Sequence, residues 1–400
     1  MKRKNLFAGT IVFAFLLFFT ACNKDNIVSN SDTPSSSNEL ISENGQNPDE
    51  AIFTASVEND TRFRSGFIFT ESNDAANNSI LCYRQHDDGQ LILKSTTISG
   101  GVGTGAGLGS QGAIILDEHH EFLYAVNAGG NSVSSFKVHN DGSLSLRHTA
   151  PTGGTTPVSV TTHHNLLYVV NAGSDNISGF RIGANGNLTA IAGSIKSLSG
   201  TGTGPARIAF SFNGNYLYVT EKATNMITTF PVDNNGVAGA GSSSSSIGQT
   251  PFGFEFAREH FMIVSNAAGG AAGLSSATSY SGVNSGNLDD VNGAVNNNQA
   301  AACWVAVTQY GRFAFVTNTA SNNISSYYVG PFGGLYLIHS AIGSGNAPTE
   351  IIVSANNKFV YTINSAEHTI TEYKRTLLGG LTSIGTLSNI PNGSVGIASF

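Results

Sequence analysis

Phe122-Leu-Tyr-Ala-Val-Asn127, Leu166-Leu-Tyr-Val-Val-Asn171 and Tyr216-Leu-Tyr-Val-Thr-Glu221 are copies of one short apolar phrase, and their recurrence decides the fold. The phrase opens earlier as Phe67-Ile-Phe-Thr70. It continues as Phe261-Met-Ile-Val-Ser-Asn266, Phe313-Ala-Phe-Val-Thr-Asn318 and Phe359-Val-Tyr-Thr-Ile-Asn364, for seven copies in all. The third residues, Phe69, Tyr124, Tyr168, Tyr218, Ile263, Phe315 and Tyr361, lie 55, 44, 50, 45, 52 and 46 residues apart. A repeat of roughly that length, rich in aromatic and β-branched residues, matches one four-stranded propeller blade.

The rest of each repeat supplies the other strands. A first strand precedes the phrase, often opened by proline, as in Pro157-Val-Ser-Val, Pro205-Ala-Arg-Ile, Pro251-Phe-Gly-Phe and Pro348-Thr-Glu-Ile. An alternating third strand follows it, as in Ser132-Val-Ser-Ser-Phe and Asn323-Ile-Ser-Ser-Tyr. Asp88-Gly89, Asp141-Gly142, Asn185-Gly186 and Asn235-Gly236 then give the positive φ that a tight hairpin needs. The chain ends on Ser394-Val-Gly-Ile-Ala-Ser-Phe400, a first strand with no blade behind it, while the first phrase lacks one. We therefore expect an all-β, seven-bladed propeller closed by the C-terminal strand completing blade 1. Residues 52–65 are expected to form an extra edge strand or lead-in, the irregular stretch Ala267–Ala302 to hold a long loop, and Ser242–Ser246 to be a plain loop.

Composition agrees. Charged side chains make up 11% of 400 residues, glycine accounts for 47, and polar positions go to Asn, Ser and Thr, which excludes a helical bundle and charge-driven disorder. At the N-terminus, Lys2, Arg3 and Lys4 precede the apolar run Ile11–Phe19 and then Thr20-Ala21-Cys22, the pattern of an export signal. Cys22 after Ala21 resembles the lipobox of bacterial lipoproteins, which implies a lipidated Cys22. The domain plan is a signal over 1–21, a flexible Ser/Asn-rich tether over 22–51 and the propeller over 52–400. Losing the signal takes the net charge from −7 to −10, so nucleic acid is not an expected partner. Cys82 and Cys303 are expected to be buried free thiols.

The Tyr-Val-x-Asn blades, with Gly103-Thr-Gly-Ala-Gly-Leu-Gly-Ser110, Gly202-Thr-Gly-Pro-Ala-Arg207, Thr220-Glu-Lys-Ala-Thr-Asn225 and Ala301-Ala-Cys-Trp304, resemble lactonase-type seven-bladed propellers across residues 52–400. That family is related to propeller 6-phosphogluconolactonases and carboxymuconate lactonising enzymes. The resemblance implies a lactone-opening or lactone-forming enzyme. The phosphogluconolactonase branch shows Gly-Pro-Arg-His in blade 4, where this chain has Gly204-Pro-Ala-Arg207, so the catalytic assignment does not transfer residue for residue.

First strands line a propeller's channel, and aligning them gives a ring of Gly396, Ala113, Ser159, Arg207, Gly253, Trp304 and Glu350. Most members are small, which leaves room at the axis. Arg207 can grip a carboxylate or phosphate with two donors, Trp304 can stack on a sugar face, and Glu350 can activate water if burial raises its pKa. Glu221 stands where five blades carry Asn, with Lys222 beside it. Glu350 and Glu221 are the candidate catalytic residues, and Arg207, Trp304 and Lys222 the substrate-binding ones. The recurring Asn is structural, capping the turn from strand two to strand three. The glycine runs 100–109 and 200–204 lack the following helix of a dinucleotide site, and no cofactor is expected. The pairs His119-His120 and His163-His164 fall on the face opposite the mouth, and no metal is assigned to them. The expected protein is an exported, lipid-anchored monomer facing the periplasm or cell surface, a lactonase-type hydrolase of a small sugar-derived or carboxylated lactone. The alternative is a non-catalytic surface propeller that binds a glycan or a protein.

Overall fold

Glycine turns and aromatic strand starts interlock around the whole ring. In the computed structural model, which describes residues 66–400, seven antiparallel sheets follow one another in chain order. The signal, the tether with Cys22, and the lead-in over 52–65 lie outside the described residues. Blades 2 to 7 start with the inner strands Ile114–Leu116, Pro157–His163, Pro205–Phe210, Pro251–Ala257, Ala302–Val307 and Pro348–Val353. Blade 1 takes Val395–Ser399 as its inner strand, paired with Phe67–Glu71, followed by Ser79–Gln85 and Leu91–Ile98. The ring is thus closed by its last strand, as the sequence predicts.

Strand direction defines two faces. Inner strands run from an upper face, where the four-to-one connections and two-to-three turns meet, to a lower face of one-to-two turns and three-to-four hairpins. The hairpin glycine of each blade sits against the residue that starts the second strand of the preceding blade. A Cβ on Gly142 would come within 2.5 Å of the Phe67 ring, on Gly186 within 2.7 Å of Phe122, and on Gly89 within 2.3 Å of Phe359. Blades 4 to 7 repeat the contact with Gly236 on Leu166, Gly286 on Tyr216, Gly333 on Phe261 and Gly379 on Phe313. All seven glycines have positive φ, so the turn and the contact demand the same residue. Tyr168, Tyr218 and Tyr361 add hydroxyl bonds of 2.8 Å to Gly236 O, Val283 O and Gly89 O of the following blade.

Two expectations need correcting. Ser242–Ser245 is a strand, pairing with Met226–Pro231 as the outer edge of blade 4, because backbone pairing tolerates serine where no core must be filled. The stretch Ala267–Ala302 contains Ser276–Ser281 and Asp289–Asn296, the outer two strands of blade 5. Its small residues are needed because Ala277 and Thr278 are fully buried. Cys82 is a buried free thiol, and Cys303 is fully buried in the inner strand of blade 6.

Removing residues 395–400 is expected to bare the edge of Phe67–Glu71 and the buried faces of Val395, Ile397 and Ala398. The loss of burial alone is worth about 4 kcal/mol, or roughly 10 °C in melting temperature. Scanning calorimetry checks this, and an unchanged transition refutes the closure.

Candidate active site at the propeller axis

The inner strands begin with a shared irregularity. Pairing with the second strand slips between Pro157 and Ser159, Pro205 and Arg207, Pro251 and Phe254, Ala302 and Val305, and Pro348 and Ile351. Such bulges re-aim side chains. Register then places Ser159 opposite Val170 and Arg207 opposite Thr220, and the equivalent positions in the other blades are Gly253, Trp304, Glu350, Ala113 and Gly396. The seven-membered ring aligned from sequence therefore occupies one level of the axis.

Arg207 is buried and forms an ion pair with Glu255, two residues deeper on the next inner strand, with its guanidinium carbon 5.7 Å from the Phe254 ring centroid. Its Nε has no partner. Glu350 is almost wholly buried and accepts a 2.9 Å bond from the Gly396 N–H of the closing strand. Burial raises its pKa to about 7, against the opposing pull of Gly396, the Arg207 charge and the Trp304 indole. Gly396 is the extra residue of a bulge at φ 64°, and a Cβ there would lie 2.5 Å from the Ile114 side chain. Beside it, Glu71 at the end of Phe67–Glu71 is fully buried. It accepts a bond from Asn78 and leaves Oε2 without a partner. Burial pushes its pKa well above the ordinary carboxylate range, and the neighbouring Glu350 charge adds to the rise.

The axis is not empty. The segment Gly109–Gly112, which feeds blade 2, crosses it as a strap. Lys222 donates to Gly109 O, and Trp304 Nε1 donates to Ser110 O at 2.8 Å. The Gln111 side chain descends between blades 5 and 6, donating to Val305 O at 2.9 Å and Glu255 Oε1 at 3.2 Å and accepting from Val305 N at 3.0 Å. The room expected from small ring residues goes to this strap, since a Cβ on Gly253 would lie 2.0 Å from Gln111 Oε1. Lys222 also lies 4.8 Å over the Phe252 ring, and burial brings its pKa down to about 8.

Arg207, Trp304, Lys222 and Glu350 thus come together around the strap, whereas Glu221 stands apart. It fills the turn slot that Asn occupies in other blades and accepts bonds from Ser199 N at 3.1 Å, Thr224 Oγ1 at 2.8 Å, Thr228 Oγ1 at 2.5 Å and the Ser199 hydroxyl. The Asn equivalents span the same turn: Asn318 Nδ2, for example, donates to Asn323 Oδ1 at 2.7 Å and Ser325 Oγ at 2.8 Å. The glycine runs spend their amides internally as well, with Gly202 and Thr203 N–H on the Asp175 carboxylate and Gly103 N–H on Asp74 O. Among the described residues no group of three or more His, Cys, Asp or Glu side chains is arranged to hold a metal ion.

Glu71, Glu255 and Gln111 were not singled out from sequence. Glu255 carried a signal, because period-two alternation puts it on the same face as Gly253. Glu71 is an acid inside an apolar strand start, Phe-Ile-Phe-Thr-Glu, which marks it for burial. Gln111 carried none.

Two predictions follow the chemistry. Glu221→Ala removes the acceptor of four donors, of which the Thr228 hydroxyl is buried, and is expected to cost about 1–2 kcal/mol of stability, read by urea unfolding. Glu350 is neutral in the fold up to about pH 7 but ionises in the unfolded chain near 4.5. The unfolded state then holds fewer protons, so stability falls as pH rises across that window. Melting temperatures are expected to drop from pH 4.5 to 7 and to drop less in Glu350→Gln. Parallel slopes in the two proteins would refute the raised pKa.

The family model described as "Lactonase, 7-bladed beta-propeller" matches residues 75–201 and 194–283. A candidate 6-phosphogluconolactonase from Bacteroides uniformis is similar in structure, with a TM-score of 0.68 at 19% identity over 84% of this chain and 99% of that one. One from Bacteroides fragilis gives 0.68 at 19% over 85% and 99%. A periplasmic gluconolactonase from Pseudomonas aeruginosa gives 0.66 at 16% over 83% and 98%. No curated protein matches in sequence. At these identities the solved structures speak for the fold, while the family model covers more than half of the chain. The chain belongs to the lactonase family of seven-bladed β-propellers.

Proposed function

We propose that this protein is a lactonase-type hydrolase of a small sugar-derived or carboxylated lactone, working at the upper mouth of the axis. The observation that carries this reading is a buried carboxyl, Glu350, poised about neutrality in the field of Arg207 and bonded toward Trp304, with Lys222 held on the same strap as Trp304. Lys222 and Trp304 already grip two backbone carbonyls of the strap, so their donors are set for carbonyl oxygen. A lactone carbonyl that displaces Gly109 O receives the Lys222 bond. Ionised Glu350 takes a proton from water, whose oxygen attacks that carbonyl carbon, and Lys222 stabilises the resulting oxyanion. Collapse breaks the ring C–O bond, and the proton on Glu350 passes to the departing alkoxide. Arg207 holds a carboxylate or hydroxyl of the substrate.

The rest of the reading is export as a monomeric lipoprotein anchored through Cys22 and facing the periplasm or cell surface, with a lactone as partner. The name of the Pseudomonas relative, a periplasmic gluconolactonase, supports that compartment. It also makes cytosolic 6-phosphogluconolactone an unsuitable substrate. The strap's occupation of Lys222 and Trp304 favours the second reading, a non-catalytic propeller that binds a glycan or a protein at the cell surface.

With Glu350 needed as base and Lys222 as protonated donor, kcat/KM against a panel of aldonolactones is expected to rise through about pH 7 and fall above about pH 8. Glu350→Gln should lower kcat by roughly 10²–10⁴, and Lys222→Met should remove the alkaline limb. Turnover that survives Glu350→Gln sinks the catalytic assignment. Binding on glycan arrays with no lactone opened favours the second reading.

A further inference from the structure

The lower face of blades 6 and 7 departs from the pattern of its own repeat. The residue before the clasping glycine is Asp88, Asp141, Asn185 or Asn235 in blades 1 to 4, where its side chain suits the turn. In blades 6 and 7 it is Phe332 and Leu378, neither of which the turn requires. Phe332 is 89% exposed, Leu378 71% and its neighbour Leu377 61%. Phe332 forms the lip of a groove of about 580 Å³ whose wall includes Tyr328 and the 58% exposed Tyr336, their rings 6.2 Å apart.

Cations flank these tips. Lys358 and Lys374 are exposed at the lower ends of adjacent strands of blade 7, and Arg375 N–H bonds Lys358 O at 2.9 Å. The Arg375 guanidinium bonds only backbone carbonyls, those of Asn357 and Thr376, and Arg312 of blade 6 lies near enough to oppose its charge. None of these four cations is ion-paired with a described carboxylate. Glu372, two residues from Lys374, is buried and accepts the Leu91 N–H, and Asp88 of blade 1 is engaged by its own hairpin, in a chain of net charge −7.

The chain preceding residue 66 joins the propeller on this same face, where Gly66 O accepts Gln85 N–H and Phe67 pairs with Phe400. We propose that the lower face of blades 6 and 7 seats directly on an anionic lipid surface. Phe332, Leu377 and Leu378 enter the interfacial layer, and Lys358, Lys374 and Arg375 meet the headgroups. Apolar tips combined with unpaired cations suit a bilayer interface, where apolar insertion and attraction to anionic lipid add. Seated so, the upper mouth faces away from the membrane. The inference does not depend on lactone chemistry.

The test is sedimentation of the full chain carrying Cys22→Ser, which takes no lipid anchor, with phosphatidylethanolamine vesicles containing phosphatidylglycerol and with phosphatidylcholine vesicles. Expected is binding to the anionic vesicles that weakens as salt is raised. Lys358→Gln/Lys374→Gln should weaken it about tenfold or more, and Phe332→Ser/Leu377→Ser/Leu378→Ser by at least as much. Both variants are changed only at exposed positions, and circular dichroism checks that they remain folded. Absence of binding to anionic vesicles, or binding indifferent to both variants, overturns the proposal. Capture by a polyuronate matrix without vesicle binding also overturns it and assigns the face to an acidic glycan.

Discussion

The pairing of Val395–Ser399 with Phe67–Glu71 is the constraint from which the rest follows. Each blade clasps its predecessor through a glycine turn on an apolar side chain, and a chain of such clasps is only a ring if its ends meet. The closing strand does more than meet its partner. Its bulge turns the Gly396 N–H onto Glu350, so the act of closure helps to set the one carboxyl poised near neutrality at the axis. Glu71, from the strand it closes upon, stands beside it.

The axis itself is arranged around economy of volume. Glycine at 253 admits the Gln111 side chain, and glycine at 112 admits the Arg207 guanidinium, where a Cβ would lie 2.4 Å from Nη1. The strap ties blade 2 to blades 4, 5 and 6 across the ring, and its carbonyls satisfy donors that burial would otherwise leave stranded. Site and scaffold therefore share the same hydrogen bonds, and a substrate gains access to Lys222 and Trp304 only by offering what the strap already offers.

Much of this was readable because it is periodic. Blade number, closure, the ring level from Ala113 to Gly396 and the capping role of the recurring Asn all follow from spacing and strand alternation. What escaped is local and aperiodic. The Ser242–Ser245 strand has no side-chain signature because an outer edge demands none. Glu221 looked exceptional by type, yet it performs the turn's usual task with acceptors in place of donors. The strap was invisible because contacts between Gln111 and residues 143 and 194 positions away have no trace in a single sequence.

Phe67 and Phe400 exchange backbone bonds of 2.9 and 2.8 Å, so the two ends of the propeller share one spot. Synthesis runs from one to the other. The innermost strand of the first blade is therefore made after the other six blades, and until it emerges that blade lacks its wall on the axis. The ring thus stays open while the other six blades are made, and the late closing strand sets the moment at which it can shut.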